Sequence, residues 1–235
     1  MNVLITGHSS GIGAGLTKVL LAAGNNVLGL SRSRWTKTHP NLYQETIDLH
    51  NESEVTSALS RLVYEKFKKP DLIFLNAGVL GSIASLKNTK KEELQYVMQI
   101  NVWINKVILD WFLDRELFPE QIIAISSGAA IRGNFGWSSY ALSKSTLNML
   151  TQLYAHEFHK SHLLALAPGY VDTKMQAALR RKSASEFPSL EALHQAHGTS
   201  RMPSPDNVAY KIIENLAEFK KLKSGSYFDL RTIKS

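Results

Sequence analysis

Tyr140-Ala-Leu-Ser-Lys144 sets a phenol and an ammonium four residues apart, a spacing that makes them neighbours on one face of a helix. A cation so placed stabilises phenolate and pulls the phenol down from its ordinary value of about 10 toward working pH, where it becomes a usable acid or base. The spacing alone is cheap, since Tyr64/Lys68 and Tyr170/Lys174 repeat it. Tyr140 differs in its company: Ser127 stands thirteen residues before it, at the end of an apolar run of strand length, where Tyr64 has Asn51 and Tyr170 has Glu157. Ser126 is the alternative to Ser127.

A second constellation lies near the start of the chain. Thr6-Gly7-His8-Ser9-Ser10-Gly11-Ile12-Gly13 follows a short apolar run and opens a helical pattern, with the glycines spaced G-x-x-x-G-x-G. Glycine admits positive φ and lets backbone N–H groups approach a pyrophosphate at the positive end of the following helix. A dinucleotide is the natural guest. Preference between its two forms is written after the second strand, where a carboxylate would hold a ribose 2′-OH and a basic group would take a 2′-phosphate. Ser31-Arg32-Ser33-Arg34 offers arginines and no acid, so NADP(H) is expected over NAD(H). Asp48-Leu49 and Asn76-Ala77-Gly78 fall where the adenine edge and the mouth of the sheet should be.

Elements that position these groups can be read from periodicity. Strands are expected at residues 2–6, 26–30, 43–48, 71–75, 121–126, 162–167 and 225–230. Helices are expected at 12–23, 52–67, 90–116 and 140–160, with another opened by Pro205-Asp206. Short, almost wholly apolar strands such as Ile122-Ile123-Ala124-Ile125 suit a sheet covered on both faces. The expected fold is α/β, a single doubly wound parallel sheet flanked by helices on both faces, in one domain spanning 1–235. Ligands of such sheets sit at the carboxyl ends of the strands.

Composition narrows the classes. The chain has 235 residues, 44% hydrophobic and 20% charged, with no cysteine, which removes disulfides, thiolate metal sites and cysteine nucleophiles together. Met1 and Asn2 lead straight into an apolar strand, and no span approaches the roughly 20 apolar residues of a membrane helix; a cytoplasmic protein without a membrane partner is expected. The net charge of +7 invites a nucleic-acid reading, but residues 174–235, Lys234 included, hold eleven Lys/Arg against six Asp/Glu. This reads as a solvated basic face, and no basic groove interleaved with aromatics accompanies it. His156, His159 and His162, with His194 and His197, lack a further partner for zinc, so no metal is expected. Trp103 and Trp111 read as packing residues at helix–helix or subunit contacts.

Taken together, Thr6-Gly-x-x-x-Gly11-x-Gly13, Asp48-Leu49, Asn76-Ala77-Gly78, Asn101, Ser127, Tyr140-x-x-x-Lys144 and Pro168-Gly169 with Asp172-Thr173 make the chain resemble the short-chain dehydrogenase/reductases, with a Rossmann-like fold. The resemblance implies a catalytic set. Tyr140 would protonate a carbonyl oxygen, Ser127 would orient it, Lys144 would hold the nicotinamide ribose and lower the phenol, and the backbone of Asn101 would anchor a relay water. Pro168, Gly169, Val171 and Thr173 would line the nicotinamide side. Ser126 misses the family's spacing. A homodimer or homotetramer is implied as well.

Residues 174–204, polar and carrying Pro188 and Pro203, read as a mobile lid that shapes the substrate site. Asp172-Thr173-Lys174-Met175-Gln176, Ser204-Pro205-Asp206 and Ser224-Gly225-x-x-x-Asp229 are similar to the sepiapterin and benzil reductases. That likeness would make Asp229 a substrate contact; by itself it reads equally as a surface carboxylate. The expected activity is NADPH-dependent reduction of a ketone or vicinal dicarbonyl, a small-molecule carbonyl substrate. The alternative is a dinucleotide-binding sensor or signalling protein of the same fold.

Overall fold

Alternating side chains in each strand divide the core in two. In the computed structural model, which describes residues 1–233 and so leaves Lys234 outside, β1 (Asn2–Thr6) turns Leu4 to one face and Val3 and Ile5 to the other. β5 (Gln121–Ile125) does the same with Ile122 and Ala124 against Ile123 and Ile125. The period of two in a strand produces this split, and both faces must therefore be covered.

The remaining strands are β2 (Asn26–Ser31), β3 (Leu42–Thr46), β4 (Leu72–Leu75), β6 (His162–Ala167) and β7 (Ser226–Asp229). All pair parallel in the order β3-β2-β1-β4-β5-β6-β7. Strand order reverses between β1 and β4, which opens a crevice at their carboxyl ends.

One face is covered by α1 (Gly11–Ala22) and α8 (Pro205–Glu214), which bring Leu16, Val19, Leu20, Val208 and Ile212 onto the sheet. These two helices touch closely: a Cβ on Gly15 would lie 2.4 Å from the Pro205 carbonyl oxygen. The other face is covered by α2 (Glu52–Leu59), α4 (Ile104–Leu113) and α5 (Ser138–Glu157), through Val55, Leu59, Ile108, Phe112 and Leu147. Start signals behave as their chemistry dictates. Asn51 caps α2, and Ser204 caps α8 just ahead of Pro205, whose missing N–H costs nothing at the first helical position.

Two expected helices are interrupted. The stretch expected as one helix from 90 to 116 is α3 (Lys91–Met98), a π-type turn at Gln99–Trp103, and α4. The helix expected at 52–67 likewise ends in a π-type turn, Ser60–Tyr64. The wider turn rotates Asn101 out of the helical register. Its fully buried side chain then grips Val79 from both sides, Oδ1 accepting from the Val79 N–H at 2.8 Å and Nδ2 donating to the Val79 carbonyl at 2.9 Å. Hydrophobic periodicity does not report such a turn, because the apolar residues on either side of it remain in phase with the core.

Residues 174–204, expected as polar and loop-like, contain α6 (Lys174–Arg180), a 3-10 turn at Pro188–Leu190 and α7 (Glu191–Ala196). They gather a small core of their own, Leu179, Leu190, Leu193, Ala196 and Met202 around Ile83. A last short helix, α9 (Leu216–Phe219), leads toward β7.

Candidate active site

The glycine turn after β1 is shaped by contacts that leave no room for side chains. Gly7 and Gly11 have φ of +70° and +52°, and a Cβ on Gly13 would fall 2.1 Å from the Gly7 carbonyl oxygen. The turn is tied to β4 through Thr6, whose Oγ1 accepts from the N–H groups of Asn76 and Ala77 at 3.0 Å each. Asn76 returns the contact, donating from Nδ2 to the Thr6 carbonyl at 2.9 Å. The carboxyl ends of β1 and β4 are thereby fixed to each other by hydrogen bonds at the edge of the crevice.

A cleft of about 330 Å³ runs along the carboxyl edge of the sheet. Of the residues expected to hold a dinucleotide, Gly7, Ser9, Ser10, Gly11, Ile12, Arg32, Asp48, Leu49, Asn76, Ala77 and Gly78 line one part of it. Pro168, Gly169, Val171 and Thr173 line another. Gly13 lies one layer beneath the wall, where its role is to let the turn close. Arg32 is exposed at the cleft and Arg34 is not part of its wall. Ser9 and Ser33 meet beside Arg32 with their hydroxyls 3.0 Å apart. Below them His8 is fully buried, bonded to Gln44 at 2.8 Å and to Ser31 at 3.0 Å, and burial lowers its pKa. Sequence reasoning did not single out His8, Ser31, Ser33 or Gln44, because a histidine inside a glycine motif carries no spacing signal of its own.

Ser127, Tyr140 and Lys144 come together where the two parts of the cleft meet. Ser127 follows β5 directly, and its Oγ accepts from the Ala129 N–H at 3.1 Å, which fixes the turn. Ser126 also reaches the wall, but its hydroxyl is committed to Asn148 Oδ1 at 2.5 Å. The Lys144 ammonium, 4% exposed, lies 5.8 Å from the centre of the Tyr140 ring and donates to the Ile125 carbonyl at 2.6 Å. The expectation that Lys144 draws the phenol downward needs correcting. Burial dominates both groups, pushing Tyr140 up against the opposing effect of the Ser127 hydroxyl and bringing Lys144 down to about 8. A phenol so raised is a proton donor over the whole physiological range.

Asn101 is placed behind the wall rather than in it. Besides gripping Val79, it donates to Ser143 Oγ at 2.9 Å, and its carbonyl accepts from Asn105 Nδ2 at 2.8 Å. Of the other Tyr/Lys pairs, Tyr64 is exposed at the end of the π-type turn after α2 and is no part of the cleft wall, whereas Tyr170 and Lys174 both line the cleft without sharing a helix. Among the described residues no group of three or more His, Asp or Glu side chains gathers to hold a metal, and no helix is long and apolar enough to cross a membrane.

A family model described as short chain dehydrogenase matches residues 1–184. The chain belongs to the short-chain dehydrogenases. It is 30% identical over 239 residues to a benzil reductase, (S)-benzoin forming, of Bacillus subtilis, with 97% of each chain covered. Two solved structures share the fold. One is ElxO with NADP bound, at TM-score 0.81 and 23% identity, covering 97% of this chain and 96% of that one. The other is a 3-ketoacyl-(acyl-carrier-protein) reductase from Brucella melitensis complexed with NADH, at 0.79 and 20%, covering 97% and 95%.

This short-chain dehydrogenase carries cleft residues that no motif announced. Arg132, Trp137, Ser189 and Arg231 all stand on the wall. Trp137 donates from Nε1 to Ser189 Oγ at 2.8 Å, linking the loop after β5 to residues 174–204. Phe187, from the same segment, stacks on Phe135 with ring centres 5.8 Å apart and covers Gly136. Asp229 is neither a wall residue nor a free surface carboxylate. It accepts from Arg231 Nε at 2.9 Å, which holds its carboxyl below the usual range, and Arg231 is the member of the pair that reaches the cleft.

Proposed function

We propose that this oxidoreductase reduces a ketone or vicinal dicarbonyl with NADPH. The observation that carries the reading is the meeting of the Ser127 hydroxyl, the Tyr140 phenol and the Lys144 ammonium at the joint of a glycine-floored cleft. Residues present fit a dinucleotide. Gly7 and Gly11, at positive φ, and the start of α1 line the wall, a helix N-terminus suits a pyrophosphate, and no acid other than Asp48 stands on that wall among the described residues. Arg32, with the Ser9 and Ser33 hydroxyls beside it, supplies donors suited to a 2′-phosphate.

When bound, the dinucleotide supplies a hydride to the carbonyl carbon. Ser127 orients the carbonyl oxygen by donating a hydrogen bond that strengthens as charge develops there. Tyr140, kept protonated by burial, delivers its proton to that oxygen. Lys144 holds the ribose hydroxyls. Asn101 keeps the loop after β4 in place by its grip on Val79. Residues 174–204 serve as a lid, latched to the wall through Trp137 and Ser189.

Association into a homodimer or homotetramer is part of the same reading. It is supported by Leu142, Met149 and Leu153, exposed at helical spacing on α5, and by half-exposed Trp103; light scattering measures it. The absence of cysteine accords with a reducing cytoplasm.

Loss of nicotinamide absorbance with NADPH or NADH against benzil, 1-phenyl-1,2-propanedione, sepiapterin, an aryl ketone and a sugar tests the proposal. Turnover of the dicarbonyls is expected, with kcat falling by about 10² to 10⁴ in Tyr140→Phe. No turnover, or a Tyr140→Phe enzyme as fast as the parent, overturns it.

A further inference from the structure

The wall beside Ser127 is cationic. Gly128 is the next residue, and the point where its Cβ would stand lies 3.6 Å from Arg231 Nη2 and 3.8 Å from Arg132 Cζ. Two guanidinium groups therefore converge one residue from the hydroxyl that faces the reacting carbonyl, and both line the cleft.

The two arginines are not equivalent. Arg231 is neutralised by Asp229, lies along Gly169 with its stem and faces the Tyr170 ring at 5.9 Å. Arg132 has no salt bridge among the described residues. Its charge is felt at Asp229, whose carboxyl it helps to hold down after the larger effect of Arg231. Lys144 and Lys174 stand on the same wall, while Asp48, the one acid on the described wall, sits after β3 at its other end. Trp137, 5.9 Å from the Tyr140 ring, and Leu179 from the lid segment give this part of the wall an aromatic and apolar surface, beside the polar Asn134, Gln176 and Ser189.

A surplus positive charge next to the carbonyl position and an aromatic wall around it select a ligand with matching parts. We propose that the substrate is an aryl 2-oxo acid, its ketone between Ser127 and Tyr140, its carboxylate on Arg132 and its ring against Trp137. This rests on the carbonyl-reductase reading above. In a 2-oxo acid the carboxylate carbon is bonded directly to the ketone carbon, which matches an anion site one residue removed from Ser127; an acid several bonds away would overshoot it. The carbon of the ketone receives the hydride with its electron pair, the oxygen takes the Tyr140 proton, and the product is a 2-hydroxy acid with the carboxylate untouched.

Phenylglyoxylate and its methyl ester form a matched pair that differs by one charge. The measurement is kcat/KM for both with NADPH, alongside 1-phenyl-1,2-propanedione, in the parent enzyme, Arg132→Gln and Asp229→Asn. Arg132 is exposed, so its replacement leaves folding intact, and asparagine at 229 can still accept from the Arg231 N–H. The acid-to-ester ratio is expected to fall about tenfold in Arg132→Gln, the size of one partly solvated charge-assisted hydrogen bond. It should rise in Asp229→Asn, where Arg231 is freed. Calorimetry with phenylglyoxylate should show the same loss in Kd. A ratio within twofold of the parent in Arg132→Gln, with the diketone still reduced, overturns the oxo-acid assignment and leaves the reductase reading standing. No NADPH oxidation with any of the three compounds overturns both.

Discussion

Tyr140 and Lys144 feel the same burial in opposite senses. The phenol is held protonated, while the ammonium, brought from 10.5 to about 8, is asked to carry charge where little water reaches it. Below pH 8 both folded and unfolded chains keep this lysine charged and the cost of burying it is present in full. Between 8 and 10.5 the unfolded chain binds more protons, so unfolding free energy rises with pH through this group. Urea unfolding of the parent and Lys144→Met across that window is therefore expected to show the difference moving toward the parent by about 3 kcal/mol. Arg32 supports a prediction of a different kind. Arg32→Ala should raise KM for NADPH far more than for NADH in steady-state kinetics, and equal effects would remove the 2′-phosphate assignment. Ser127, Tyr140 and Lys144 were legible because their types and spacing encode a strand end facing a helix. Arg132 and Arg231 were not, since they stand on turns where no period exists. The likeness at Ser224-Gly225-x-x-x-Asp229 pointed two residues short of the side chain that reaches the cleft.

Interrupted helices and the lid mark where local pattern gives way to tertiary demand. The π-type turn at Gln99–Trp103 preserves the apolar stripe on both sides while turning Asn101 toward Val79, so periodicity shows one helix where there are two. Residues 174–204 hide their order differently: helices of six and seven residues are too short to declare a face, and Leu179, Leu190 and Leu193 are diluted by serines, basic residues and Glu186. Because that small core is separate from the two that flank the sheet, its loss should be local. Leu190→Ala removes a fully buried side chain, a change costing about 2 to 5 kcal/mol where the surroundings cannot collapse. Hydrogen exchange should accelerate across 174–202 while the sheet amides keep their protection; equal acceleration in both would show the segment to be part of the main cooperative unit.

Seven parallel strands bring every carboxyl end to one edge, and this alone explains why groups from residues 7 to 231 share a cleft. The parallel sheet and its two-sided core were readable from the chain because apolar runs of strand length alternate with helical stretches; the order of the strands was not. The strand boundaries moved by only a residue or two, most at β3, where the sheet edge leaves the strand half-exposed and its pattern weak. The interior so built has an experimental use. A chain without cysteine offers electrophiles no competing thiol. The amine of Lys144, brought down to about 8 by burial, is a nucleophile at that pH on the wall of an open cleft. A small aryl aldehyde followed by borohydride should mark it ahead of the other lysines, and peptide mapping with and without NADPH would turn that single adduct into a direct gauge of cleft occupancy.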